Sequence, residues 1–116
     1  MGKAEVRFRV RVTRGDDIAV GPGKIALLEA IASAGSITNA AKGLGMSYRR
    51  AWVLVDTMNR SFRAPVVEAG AGGPHGGGAA LTPLGEEVVL RYRRIESTAK
   101  VAAADDIRGI EALLRK

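Results

Sequence analysis

The stretch from Ser36 to Phe62, SITNAAKGLGMSYRRAWVLVDTMNRSF, limits what this chain can fold into more than any other. It divides into two helical patterns joined by a tight turn. The first runs from Ile37 to Leu44, with Ser36 placed to cap it and Ala40, Ala41 and Leu44 on one face. Gly45 stands where a helix end commonly needs a left-handed residue. Ser47 is placed to cap a second, longer helix. Along that helix Tyr48, Ala51, Trp52, Leu54, Val55, Met58 and Phe62 share one broad apolar face, which predicts a buried Trp52. Arg49, Arg50, Val53, Asp56, Thr57 and Arg60 fall on the other face. A short helix, a glycine turn and a longer helix with arginines in its first turn make the helix-turn-helix pattern. The plainer alternative is an ordinary helical hairpin with solvated arginines.

The charge balance points the same way. Lys and Arg total 18 against 12 acids, for a net charge of +6 and a pI near 10.3. That favours a polyanionic partner without choosing among DNA, RNA and a membrane surface. The length, 116 residues, suits one domain spanning 1–116. Aromatic residues are only 4% of the chain, so alanine and aliphatic side chains must fill most of its core. There is no cysteine, which excludes disulfides and thiolate metal sites. No apolar run has the length of a membrane span and no signal-peptide core is present, so a cytoplasmic protein with no membrane partner is expected.

Around the helix-turn-helix, Glu5 to Thr13 alternates strictly and predicts a half-buried β-strand, with Val6, Phe8, Val10 and Val12 pointing inward. Its outward arginines, Arg7, Arg9 and Arg11, read either as a charged strand face that discourages edge pairing or as a second nucleic-acid contact. The first is preferred, because a strand outside the helix-turn-helix rarely reaches the same groove. Arg14 to Asp17 reads as a turn. Gly21-Pro22-Gly23-Lys24 opens a helix whose apolar side carries Ile25, Leu28, Ile31 and Ala32, and Gly35 ends it. Lys24 is not a phosphate-loop lysine: no glycine stands five residues before Gly23, and Ile25 follows in place of Ser or Thr. After Phe62, two short β-prone segments flank GAGGPHGGG, Gly70 to Gly78, making a hairpin wing over 66–82 unless the glycines are a linker. Thr82 and Pro83 then start a long helix over 83–104, with a short helical tail over 105–116 opened by Asp105. The apolar side of these helices exceeds what a small core covers, so Val88, Tyr92, Ile95, Ala99, Ala102, Ile107, Ile110 and Leu114 are expected at a dimer interface.

GSITNAAKGLGMS, SYRRAWVLVDTMNRSF, PVVE, the glycine run and LTPLGEEVV together resemble the DNA-binding domain of the ModE family of molybdate-responsive transcriptional regulators, whose helix-turn-helix is LysR-like. The resemblance covers about Pro22 to Lys100. It implies a winged helix-turn-helix, homodimeric through its first and last helices, on a palindromic operator. The family's helix-turn-helix role falls on Ser36 to Asn59 and its wing on Val66 to Thr82. Two departures stand out. Molybdate-sensing members carry C-terminal oxyanion-binding domains that these residues do not include, so sensing is not carried over. The wing has Ala71-Gly72-Gly73-Pro74 in place of a Thr-Gly-Gly-basic sequence, which leaves His75 as its polar tip residue.

No enzyme is expected. His75 is the one histidine and sits in the glycine loop, and the adjacent acids Glu86-Glu87 and Asp105-Asp106 are explained by helix starts. No catalytic residue, metal or cofactor is assigned. The predicted fold class is α+β and mainly helical: a winged helix-turn-helix with an N-terminal β-strand and a long C-terminal dimerisation helix. The predicted partner is double-stranded DNA, bound by a homodimer that regulates transcription. Arg49 and Arg50 are placed for guanine edges and Val53 for a thymine methyl. Thr38, Lys42 and the wing backbone are placed for phosphates. Ser36, Ser47, Tyr48, Thr57, Gly73, His75 and Gly76 complete the expected DNA face. The alternative is a winged-helix interaction module, or the partner subunit of a separately encoded effector-binding protein.

Overall fold

The computed structural model describes residues 2–70 and 78–116. Strand β1 is Val12–Arg14 and strand β2 is Asp17–Val20, paired antiparallel with Thr13 opposite Ile18 and Arg14 opposite Asp17. Gly15, at φ 60, makes the turn between them. This corrects the predicted strand over Glu5 to Thr13. A period-two pattern states only that a segment could lie on a sheet, and β2 is too short to pair with residues before Val12. Val6 and Val12 are exposed, whereas Val10 packs against the helical core.

Helix α1, Pro22–Ala34, follows Gly21 with proline in its first turn, as predicted. It buries Ile25, Leu27, Leu28 and Ile31; Ala32 faces solvent, so the apolar stripe turns toward Leu27 instead. Gly35 closes it at φ 73, its N–H donating to the Ile31 carbonyl. Helix α2, Ile37–Leu44, starts where the Ser36 hydroxyl accepts from the Asn39 amide at 3.0 Å and ends at Gly45, φ 68. Helix α3, Tyr48–Ser61, starts where the Ser47 hydroxyl accepts from the Arg50 amide at 3.1 Å. Ala40 and Ala41 are fully buried, which lets α2 lie close to its neighbours. Leu44, placed by its spacing on the same face, is exposed.

The buried stripe of α3 is narrow: Ala51, Val55 and Met58, with Leu54 and Phe62 at its margins. Trp52 is 39% exposed, which corrects the expected burial, and Tyr48 is 50% exposed. One helix face cannot turn seven side chains into a core built from a single layer of neighbouring helices. The indole N–H of Trp52 donates to the Tyr48 hydroxyl one turn earlier, so neither polar group needs the interior.

Strands β3, Val67–Ala69, and β4, Ala79–Leu81, pair antiparallel as the stem of the wing. Three fasteners hold that stem to the helices. The Asn59 side chain accepts from the amides of Val66 (2.8 Å) and Val67 (3.2 Å) and donates to the Val67 carbonyl. The Thr82 hydroxyl donates to the Pro65 carbonyl at 2.7 Å and accepts from the Gly85 amide at 3.0 Å. The Ala79 amide donates to the Gly35 carbonyl at 2.8 Å, joining β4 to the turn between α1 and α2.

Helix α4, Pro83–Ala102, is capped by Thr82 as predicted and stops two residues short of the expected end. Helix α5, Ala104–Leu113, starts at Ala103 without a side-chain cap; Asp105 lies inside its first turn with Asp106 and is not the cap. Tyr92, expected at a dimer interface, does not face outward from α4. It is 2% exposed, inside the core, and its hydroxyl donates to the Val10 carbonyl at 2.7 Å. Arg93 beside it forks onto Glu29 of α1, with Nε at 3.0 Å from the carboxylate, and reaches Glu96 at 2.6 Å. Among the described residues no helix is long and apolar enough to cross a membrane.

Candidate nucleic-acid interface

The solvent face of α3 carries Arg49, Arg50 and Val53, all exposed, with Val53 at 56%. Thr38 and Lys42 of α2 are exposed as well. Ion pairs among the described residues join Arg7 to Glu5, Arg60 to Asp56, Arg91 to Glu87, Arg93 to Glu29 and Glu96, and Arg108 to Asp105. Lys42, Arg49 and Arg50 take part in none of them, so their charge is directed outward. Asp56, paired with Arg60 at 3.1 Å, marks where the basic part of α3 ends. Ser36 and Ser47 act first as caps, each keeping its hydroxyl proton for an outside acceptor. Thr57 is half-buried and donates its hydroxyl to the Val53 carbonyl at 2.9 Å, so toward a ligand it can act only as an acceptor. That fits a phosphate contact poorly.

Between the two helices and the wing stem lies a slot lined by Ile37, Thr38, Tyr48, Trp52, Ala69, Gly70, Gly78 and Ala79. Its walls combine aromatic faces, which suit deoxyribose, with the hydroxyls of Thr38 and Tyr48, which suit phosphate oxygens. Sequence reasoning placed Tyr48 here but missed Trp52. The available signal was the count of seven apolar positions on α3, more than one packing stripe holds. Gly73, His75 and Gly76 of the expected wing contact lie outside the described residues.

Of the residues expected at a dimer interface, Ile95, Ala102, Ile110 and Leu114 are exposed and Ala99 and Ile107 half-buried. Val88 packs against the core of the chain, and Tyr92 is part of it. These two are corrected: α4 turns that stretch inward against α1 and β4, with Tyr92 reaching the Val10 carbonyl.

Capped helix, glycine turn, basic helix and two-stranded wing define a winged helix-turn-helix domain. The structure of the CbnR DNA-binding domain solved with DNA has this fold: TM-score 0.58 at 22% identity, over 76% of this chain and 95% of that one. In sequence the chain is 44% identical over 92 residues to the molybdenum transport protein ModE of Azotobacter vinelandii, covering 78% of this chain and 34% of that protein. It is 49% identical over 78 residues to the molybdenum-pterin-binding protein MopB of Rhodobacter capsulatus, covering 67% of this chain and 29% of that protein. It is 38% identical over 97 residues to the DNA-binding transcriptional dual regulator ModE of Escherichia coli K12, covering 80% of this chain and 37% of that protein. Over these residues the chain is similar in sequence to ModE proteins. It spans about a third of the length of those relatives. No family model matches it.

Proposed function

We propose that this chain is the operator-binding part of a cytoplasmic transcriptional regulator, acting on double-stranded DNA as a homodimer. The observation that carries the reading is the outward face of α3, where Arg49, Arg50 and Val53 stand exposed and free of acidic partners beside the wing slot. Helix α3 enters the major groove with the arginines on guanine edges and Val53 against a thymine methyl. Thr38, Lys42 and the Tyr48–Trp52 slot hold the sugar–phosphate strand. Twofold pairing through the exposed apolar positions of α4 and α5 gives a palindromic site.

Selecting bound sequences from a random duplex pool with the full chain tests this. A palindromic consensus is expected. Arg49→Ala and Arg50→Ala are each expected to cost about 1–3 kcal/mol on that site and to relax one base position per half-site. If both variants bind the consensus as tightly as the parent, α3 is not the reading element. Weak binding without sequence preference would instead favour a winged-helix module that docks another protein.

A further inference from the structure

The arginine row before β1 has lost the explanation its sequence pattern suggested. Residues 5–11 form no strand, so there is no sheet edge for Arg7, Arg9 and Arg11 to protect. The structure places two of them elsewhere. Arg9 and Arg11 line a groove with Ile18, Gly21, Lys24 and Arg50, and no carboxylate lines it. The arginines project there because the residue between them is held. Val10 packs on the core and its carbonyl accepts from the buried Tyr92 hydroxyl at 2.7 Å, which turns the flanking side chains outward. The Arg11 stem lies against Gly21. Lys24 donates to the Ile18 carbonyl and keeps two N–H groups free, and Asp17 of β2 acts on its charge from beside the groove. Arg50 sits on α3 itself, so this basic groove continues directly from the face assigned to the major groove.

We propose that Arg9 and Arg11, with Lys24, form a phosphate-gripping groove that runs up to Arg50 and holds the DNA backbone flanking each half-site. The occupant is a duplex backbone because four cations line one open channel contiguous with the recognition helix. The inference rests on the DNA-binding reading above and extends the contact beyond the helix-turn-helix and wing.

The test measures affinity of the full chain for its selected duplex across a salt series, with the site alone and with added flanking base pairs. The slope of log affinity against log salt should fall by about 3.6 in the Arg9→Gln/Arg11→Gln double variant, two arginines in each of two copies at roughly 0.9 per phosphate contact. The gain from flanking base pairs should disappear, while the ranking of operator variants stays as in the parent. Glutamine keeps the stem that touches Gly21, so the fold should persist by circular dichroism. The Arg9→Lys/Arg11→Lys variant should restore the slope, which a packing role for the arginines would not produce. An unchanged slope in the glutamine variant, with the parent binding normally, overturns this inference alone. Loss of sequence preference in that variant makes the arginines base readers and overturns the phosphate assignment. A parent that binds no duplex overturns both this and the DNA-binding reading.

Discussion

Gly85 stands in the first turn of α4, and a Cβ built there would come within 2.2 Å of the Val66 carbonyl oxygen. That oxygen is already fixed, accepting from the Thr82 amide at 3.0 Å. An alanine at 85 must therefore push the start of the wing away and strain the bonds from Thr82 to Pro65 and Val66. We expect Gly85→Ala to destabilise by about 1–3 kcal/mol, the cost of overpacking exceeding the better helix propensity of alanine. Gly43, near the end of α2, has nothing within 4 Å of its Cβ direction. Gly43→Ala should stabilise by about 0.5–1 kcal/mol through the entropy of the unfolded chain. Urea midpoints of the two variants check the pair, and a Gly85→Ala midpoint at or above the parent's would refute the close approach. In the sequence both glycines read alike, as small residues in helical patterns. What separates them is a backbone from a distant part of the chain, and no local pattern carries that information.

The same division runs through the elements. Caps and stops were legible, because Ser36, Gly45, Ser47 and Thr82 act on amides and carbonyls within a few residues of themselves. The order of helices, wing and long helix followed from them. The strand over residues 5–13, the exposure of Trp52 and the burial of Tyr92 were not legible, since each depends on which partner is present. Tyr92 gives α4 its tie to the N-terminal segment. Burial is the main cause raising its phenol pKa, with Glu96 adding to it and Arg93, Arg11 and Arg9 opposing. A raised folded-state value means the stabilising contribution is whole below the unfolded tyrosine value of about 10 and is lost as pH climbs through the folded value. Tyr92→Phe should lower stability by about 0.5–1.5 kcal/mol at neutral pH by leaving the Val10 carbonyl without its donor. It should also flatten the loss of stability above about pH 10. Denaturant midpoints of parent and variant from neutral to alkaline pH check both; parallel curves would mean the phenol is not held as described.

At the scale of the molecule, the radius of gyration is 16.9 Å, against about 13 Å for a compact chain of this length. The excess comes from the end of α4 and from α5, which buries none of its residues and leaves Leu113 84% exposed. Apolar surface on a projecting helix pair is what a twofold partner would cover, and a stable pair buries about 1,200–2,000 Å² in all. The full chain should sediment as a dimer at tens of micromolar without DNA. Deleting the chain after Arg94 should give a monomer with much weaker operator affinity. A single monomeric species of the full chain would count against this arrangement. The winged body below that projection is wired as one piece. Asn59 and Thr82 clamp the stem from two sides, and the amide of Ala79 grips the turn between α1 and α2. Helix α3 and the stem of the wing are therefore joined directly to each other and to the turn after α1. On the DNA-binding reading proposed above, the body is a cassette whose base preference would travel with it onto another dimerising stalk, while the stalk would set how far apart two copies read.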